Sequence, residues 1–139
     1  MKYLTADELV EKNKKEAHEI LENCTGKSIR DNFAIKIFGK YLIDSFGTDK
    51  SIRILDLAPA SGGFVRQASN LGYDNIFGVD LDDYLQNNNR DLFKEFKTAD
   101  LSWESIPWPG QFFNMVTAWC VLPHLENPFH CVREINRAL

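Results

Sequence analysis

Ile52-Arg53-Ile54-Leu55-Asp56-Leu57-Ala58-Pro59-Ala60-Ser61-Gly62-Gly63-Phe64 is the stretch on which the fold turns. A short apolar run passes into a loop of small residues, and Phe64, Val65, Ala68 and Leu71 then follow at helical spacing. The reading is strand, tight turn, helix, the opening of a βαβ unit. Near-continuous apolar sequence marks a parallel strand buried on both faces. Asp56 is the one acid in that run, and its burial is costly unless a partner or ligand compensates. Small residues let a ligand approach the backbone, and a helix that starts there aims its N–H groups at it.

Toward the carboxyl end, Asn75-Ile76-Phe77-Gly78-Val79-Asp80 is a second short apolar strand ending in an acid. Residues 81–88 predict a short, polar helix, and Gln86-Asn87-Asn88-Asn89-Arg90 reads as solvated. Residues 93–98 alternate weakly and predict a third strand, followed by Ala99-Asp100-Leu101. Residues 103–110, with Pro107 and Pro109, form a loop. Residues 112–121 predict a strong fourth strand. Asn127-Pro128 supplies an N-cap and a proline at the first helical position. Phe129, Val132, Ile135 and Leu139 then fall on one face of a closing helix.

Toward the amino end, Thr5-Ala6-Asp7-Glu8 is a capping box. Leu9, Ala17, Ile20, Leu21 and Cys24 recur at helical spacing, Glu11 and Lys15 stand one turn apart outside, and Gly26 is the stop. A second helix is expected over residues 32–46, with Phe33, Ala34, Ile37, Phe38, Tyr41 and Leu42 as its buried stripe. The expectation is one domain over residues 1–139: a helical cover over 1–50 and a ligand-binding core over 51–139. Its class is α/β, with helices alternating against a parallel sheet joined by right-handed crossovers.

Composition narrows the function. At 139 residues and 44% hydrophobic, the chain suits one core, and a net charge of −4 argues against a nucleic-acid grip built on bulk charge. No apolar run approaches the roughly 18 residues of a membrane span, and no signal peptide opens the chain, so a cytoplasmic location is expected. Cys24, Cys120 and Cys131 have no metal-binding spacing and read as free thiols, and no metal is expected. Asp56, Asp80 and Asp100 all lie at or just past the carboxyl ends of predicted strands, where parallel sheets bind ligands.

These residues resemble the class I S-adenosylmethionine-dependent methyltransferases. The family's first motif, an acid followed by small residues, corresponds to Asp56-Leu57-Ala58-Pro59-Ala60-Ser61-Gly62; the second is Asp80-Leu81, the third Asp100-Leu101. The fourth runs from Ile106-Pro107-Trp108-Pro109 through Phe113-Asn114-Met115-Val116 to Trp119 and Leu122-Pro123-His124-Leu125. The resemblance implies a Rossmann-like sheet of strand order 3-2-1-4, with S-adenosylmethionine as cofactor. It implies that Asp80 accepts from the ribose hydroxyls, that Asp100 and Leu101 meet the adenine, and that the loop Asp56, Ala58, Ala60, Gly62 takes the methionine end. Leu81 and Trp119 complete the expected cofactor set, and the acceptor is expected to be a small molecule. The plainer readings are an N-cap for Asp80, a loop cap for Asp100, core packing for Trp119 and a surface imidazole for His124. His124 is otherwise the candidate general base.

Three departures set further expectations. Ala58 and Ala60 stand where the family has glycine, so both are expected at negative φ, because a left-handed alanine costs about 1–2 kcal/mol. Asn114 replaces a frequent aspartate and is expected to be peripheral. The family continues past the position of Leu139 into three more strands, so this is expected to be part of a longer chain, or a homodimer paired through its open edge. The rivals are a non-catalytic binding module and a nicotinamide-dependent oxidoreductase, whose fingerprint Ala58-x-Ala60-x-x-Gly63 overlays with two alanines.

Overall fold

A computed structural model of the chain describes residues 49–139 together with Thr5, Asp7, Glu8, Glu11, Lys12 and Lys15. Asp7, Glu8, Glu11, Lys12 and Lys15 are helical. The capping box ahead of them is formed: Thr5 N donates to Glu8 Oε2 at 2.8 Å, and Glu8 N to Thr5 Oγ1 at 3.2 Å. The rest of that helix and the helix expected over 32–46 lie outside the described residues, as does Cys24.

The core is a four-stranded parallel sheet. The strands are β1 (Ile54–Leu57), β2 (Ile76–Asp80), β3 (Glu95–Thr98) and β4 (Met115–Ala118), in spatial order β3-β2-β1-β4. Every residue of β1 and β2 is buried, as continuous apolar sequence dictates for central parallel strands. Side chains alternate between two layers. Ile54 and Ile76 face helix α1 (Gly63–Asn70), packing with Phe64, Val65 and Ala68. Leu55, Leu57, Phe77 and Val79 face helix α2 (Pro128–Ala138), packing with Cys131 and Ala138. On that side Phe77 meets Trp108, Phe112 and Phe113 edge-on at 5.9, 5.5 and 5.4 Å.

Several elements are shorter than their apolar sequence suggests. Phe112 and Phe113 are not in β4; both donate backbone N–H groups to Ala138 O, at 2.9 and 3.0 Å, and so staple the strand's approach to the end of α2. Leu71 is the C-cap of α1 and is exposed. In α2 the packed side carries Cys131, Ile135 and Ala138, whereas Phe129, Val132 and Leu139 are exposed, so the apolar face expected for this helix is split. Its start is as read: Asn127 Oδ1 accepts from His130 N at 3.1 Å and Pro128 opens the helix. Asn114, at the far rim from the candidate site, ties β1 to β4: its Oδ1 accepts from Arg53 N at 2.8 Å and its N–H donates to Arg53 O at 2.9 Å.

No helix forms over residues 81–88. The physical reason is local competition by aspartates for the backbone. Leu81 N donates to Asp80 Oδ1, Asp83 N to Asp82 Oδ1 and Leu85 N to Asp83 Oδ1. Asn87 and Asn88 then adopt positive φ, and a 3-10 turn follows over Asn89–Leu92. Asn89 is not solvated but buried. Its Nδ2 donates to Ser61 O at 2.7 Å and its Oδ1 accepts from Arg66 Nε at 2.7 Å, so it cements the loop after β1 to α1.

The loop after β1 contradicts the expected backbone. Ala58 has φ 51° and Ala60 φ 52°, both left-handed. Tertiary bonds outvote the local preference: Ala58 N donates to Val79 O at 2.8 Å and Ala60 N to Asp80 Oδ2 at 3.0 Å. Glycine at either position should therefore stabilise the chain. Relief of about 1–2 kcal/mol is offset by the extra unfolded-state freedom of glycine, about 0.5–1 kcal/mol, leaving a net gain near 0.5–1 kcal/mol per site. The gain should be smaller at Ala58, whose methyl packs on the α2-side core. Denaturant melts of Ala58→Gly and Ala60→Gly check this; a loss of stability in Ala60→Gly would refute the strain.

Candidate cofactor site

Because the four strands run parallel, their carboxyl ends share one rim, and the sequence places Asp56, Asp80 and Asp100 there. Asp56 is the third residue of β1 and is 1% exposed. Its Oδ1 accepts from Thr117 Oγ1 of the adjacent β4 at 2.8 Å. Asp80 ends β2 and is buried. Its two oxygens accept from Ala60 N and Leu81 N, at 3.0 and 2.8 Å, so it braces the loop after β1 as well as its own. Asp100 lies two residues past β3 and is half-buried. Its Oδ1 accepts from Ser102 N at 2.9 Å, the loop-cap role, while its own N–H donates to Glu104 Oε2 at 2.6 Å. Leu101 beside it is buried and Leu81 half-buried.

Between Asp56 and Asp80 stands the start of α1. Its N-cap, Gly62, has φ 87° and no side chain to cap the helix. A helix's first N–H groups find no acceptor within the helix itself, so this end favours an anion. Glycine is required at 62 on two counts: the left-handed backbone, and Asn89 Cβ only 2.7 Å from where a Cβ would sit. Beside Asp80, the buried Tyr84 has its phenol pushed up to about 12, by burial first and then by the charges of Asp80, Asp82 and Glu11.

Trp119 stands against Phe64, with ring centroids 5.7 Å apart and planes at 45°. It packs on the α1-side core, and its buried indole N–H has no hydrogen-bond partner among the described residues. His124 ends a 3-10 turn over Leu122–His124 beyond β4 and is exposed. His130 is half-buried, and its Nε2 lies 2.9 Å from Glu104 O. Cys120 is exposed and Cys131 buried, both as free thiols. The described residues hold no group of three or more His, Cys, Asp or Glu side chains suited to a metal, and no helix long and apolar enough to cross a membrane.

Sequence reasoning missed Thr117, Asn89 and Arg66. Thr117 had a signal: a hydroxyl inside an apolar strand, in register with a buried acid. Asn89 and Arg66 had none, because their pairing depends on how the loop from 81 to 88 folds back.

A rim of this kind offers groups chemically suited to a nucleoside with an amino-acid tail. Each carboxylate oxygen of Asp80 can accept a second hydrogen bond, which suits two vicinal hydroxyls. The uncapped α1 start suits a carboxylate, and the buried charge of Asp56 suits an ammonium. The family model described as a methyltransferase domain matches residues 55–139. The chain belongs to the class I S-adenosylmethionine-dependent methyltransferase family. No curated protein matches it. Among solved structures, MccD protein shares 21% identity at TM-score 0.60, over 77% of this chain and 48% of its own. An S-adenosylmethionine-dependent methyltransferase from Mesorhizobium loti shares 23% at TM-score 0.52, over 63% of this chain and 42% of its own. The [4+2]-cyclase SpnF shares 21% at TM-score 0.57, over 78% and 40%. This methyltransferase-family chain thus spans less than half the length of each. The likenesses establish the fold, α/β with strand order 3-2-1-4.

Proposed function

We propose that the chain carries the cofactor-binding core of an enzyme transferring a methyl group from S-adenosylmethionine to a small-molecule acceptor. The observation that carries this reading is the rim itself: Asp56, Asp80 and Asp100 around an uncapped helix start at Gly62. Asp80 takes the ribose hydroxyls, with Leu81 beside the base. Asp100 and Leu101 meet the adenine, whose amino group is a donor. The N–H groups after Gly62 take the ligand carboxylate, and the loop of Ala58 and Ala60 offers backbone carbonyls to its ammonium. Asp56 orders that loop and reaches the ammonium through water.

The bound cofactor supplies a sulfonium-activated methyl group. The protein's part is to hold the reactants in line and exclude water, and such positioning lowers a barrier by roughly 7–11 kcal/mol. An oxygen or nitrogen acceptor also needs its proton removed, and the exposed His124 beyond β4 is the candidate base. Trp119, seated on Phe64, borders the same end of β4 and would bound the pocket from the α1 side.

Calorimetry with S-adenosylhomocysteine and NADH tests the reading. Binding of S-adenosylhomocysteine in the micromolar range, with none of NADH, is expected; the reverse would make the chain a nicotinamide-binding protein. Binding without turnover on any acceptor would leave a non-catalytic module.

A further inference from the structure

The hydroxyl of Thr117 is unusual among the contacts of the sheet. Thr117 stands directly opposite Asp56 in the β1–β4 register, and both are buried, at 5% and 1% exposure. Met115 on β4 and Trp119 just past its end, two residues either side of Thr117, pack on the α1-side core, so Thr117 faces the same layer. Its Oγ1 lies 2.8 Å from Asp56 Oδ1 and 3.3 Å from Leu55 O. A hydroxyl has one proton to give. The shorter, charge-assisted bond takes it, so the proton points at Asp56. Threonine is stiff at χ1, and on a strand this donor cannot swing away. The carboxylate is therefore held in one orientation from the neighbouring strand.

We propose that Thr117 is a positioning residue for the amino-acid end of the ligand, fixing the Asp56 carboxylate that answers the ligand's ammonium. The inference rests on the cofactor reading above and goes beyond it by assigning ammonium recognition to a pair spanning two strands. A low-dielectric site makes such a fixed charge count, because reorienting it on binding would cost part of the attraction.

The test uses two probes on the 139-residue chain. S-adenosylhomocysteine has the amino-acid tail; 5′-methylthioadenosine keeps the nucleoside and the thioether and lacks the tail. Thr117→Val, the same shape without the donor, should weaken S-adenosylhomocysteine about tenfold, the scale of one hydrogen bond to a charged group. It should leave 5′-methylthioadenosine unchanged, and Thr117→Ser should restore the lost affinity. Equal weakening of both probes, no weakening of either, or failure of serine to rescue would overturn the proposal. If the valine variant melts, Asp56→Asn/Thr117→Val removes the charge with its donor and keeps the test readable. Its affinity for S-adenosylhomocysteine should match that of Asp56→Asn alone, and a further loss would overturn the proposal. A wild-type chain that binds neither probe refutes the cofactor reading itself and the proposal with it.

Discussion

Replacing Asp80 by alanine should destabilise the chain by about 3 kcal/mol and remove measurable binding of S-adenosylhomocysteine. The two effects come from one side chain. Asp80 is buried and accepts backbone N–H groups from two loops, Ala60 N and Leu81 N. Each hydrogen bond to a charged group is worth about 1.5–3 kcal/mol, and alanine leaves both donors without that acceptor. The Ala60 bond matters more than its length suggests, because it helps hold a left-handed alanine that would otherwise relax. Losing it should let the loop after β1 drift, and the ligand's amino-acid end loses its seat along with the ribose.

Asp80→Asn separates the two roles. Its amide oxygen still accepts one of the two N–H groups, so the stability loss should fall to about 1–2 kcal/mol. Its NH₂ cannot complete the two-oxygen acceptor that vicinal hydroxyls need, so affinity should still fall at least tenfold. Denaturant melts and calorimetry on the same samples read the two quantities. Undiminished ligand affinity in Asp80→Asn would strip Asp80 of the ribose role and leave it a brace.

That double duty explains what could be read from residues alone. Asp56 and Asp80 could be placed because apolar runs with a terminal acid have one sensible position in a parallel sheet. The strand order followed from a resemblance spanning Ile52 to Leu139, and it matches the β3-β2-β1-β4 sheet. What failed was each judgement in which hydrogen bonds or packing contacts, distant or close by, overruled a residue's own propensity. Ala58 and Ala60 are left-handed because β2 holds their N–H groups, 20 or more residues away in sequence. Residues 81–88 have helix-compatible composition, yet their aspartates capture backbone N–H groups one or two positions on. Phe112 and Phe113 read as strand because they are apolar. Their burial serves an aromatic cluster beside the sheet instead, with Phe112–Phe113 centroids 4.9 Å apart. Asp100 carries both of its proposed meanings at once: one oxygen caps Ser102, and a carboxylate has a second with which to meet a base.

The other large effect is expected away from the candidate site, at Arg137. Its guanidinium donates to Trp108 O and Ile106 O at 2.9 and 2.8 Å, and its Nε and Nη2 reach Glu134 at 3.1 to 2.8 Å. Glu134 Oε2 in turn accepts from Ile106 N at 2.9 Å. One turn of α2 thereby pins the proline-rich loop that carries Ile106 and Trp108 into the core. The Arg137 side chain is 36% exposed and Glu134 14%, so solvent screens part of the ion pair. Arg137→Ala should accordingly cost about 2–3 kcal/mol, below the 3–5 kcal/mol of a fully buried pair broken on one side. Lysine should recover little, because a single ammonium cannot span two carbonyls and a carboxylate in the plane that a guanidinium does.

The acid limb carries the sign. The Arg137 hydrogen bond, ahead of the Ile106 N–H, holds the Glu134 carboxyl below its usual value of 4.5. Stability from a depressed carboxyl is present above the unfolded value and is lost as pH falls through the folded one. The gap between wild type and Arg137→Ala should therefore be widest at neutral pH and narrow in acid, as pH falls through the lowered folded value and protonated Glu134 no longer holds the contact. Melts at pH 7 and pH 3 read that difference directly. A gap of equal size at both would mean that the two carbonyl bonds hold the loop alone and that Glu134 contributes nothing to it.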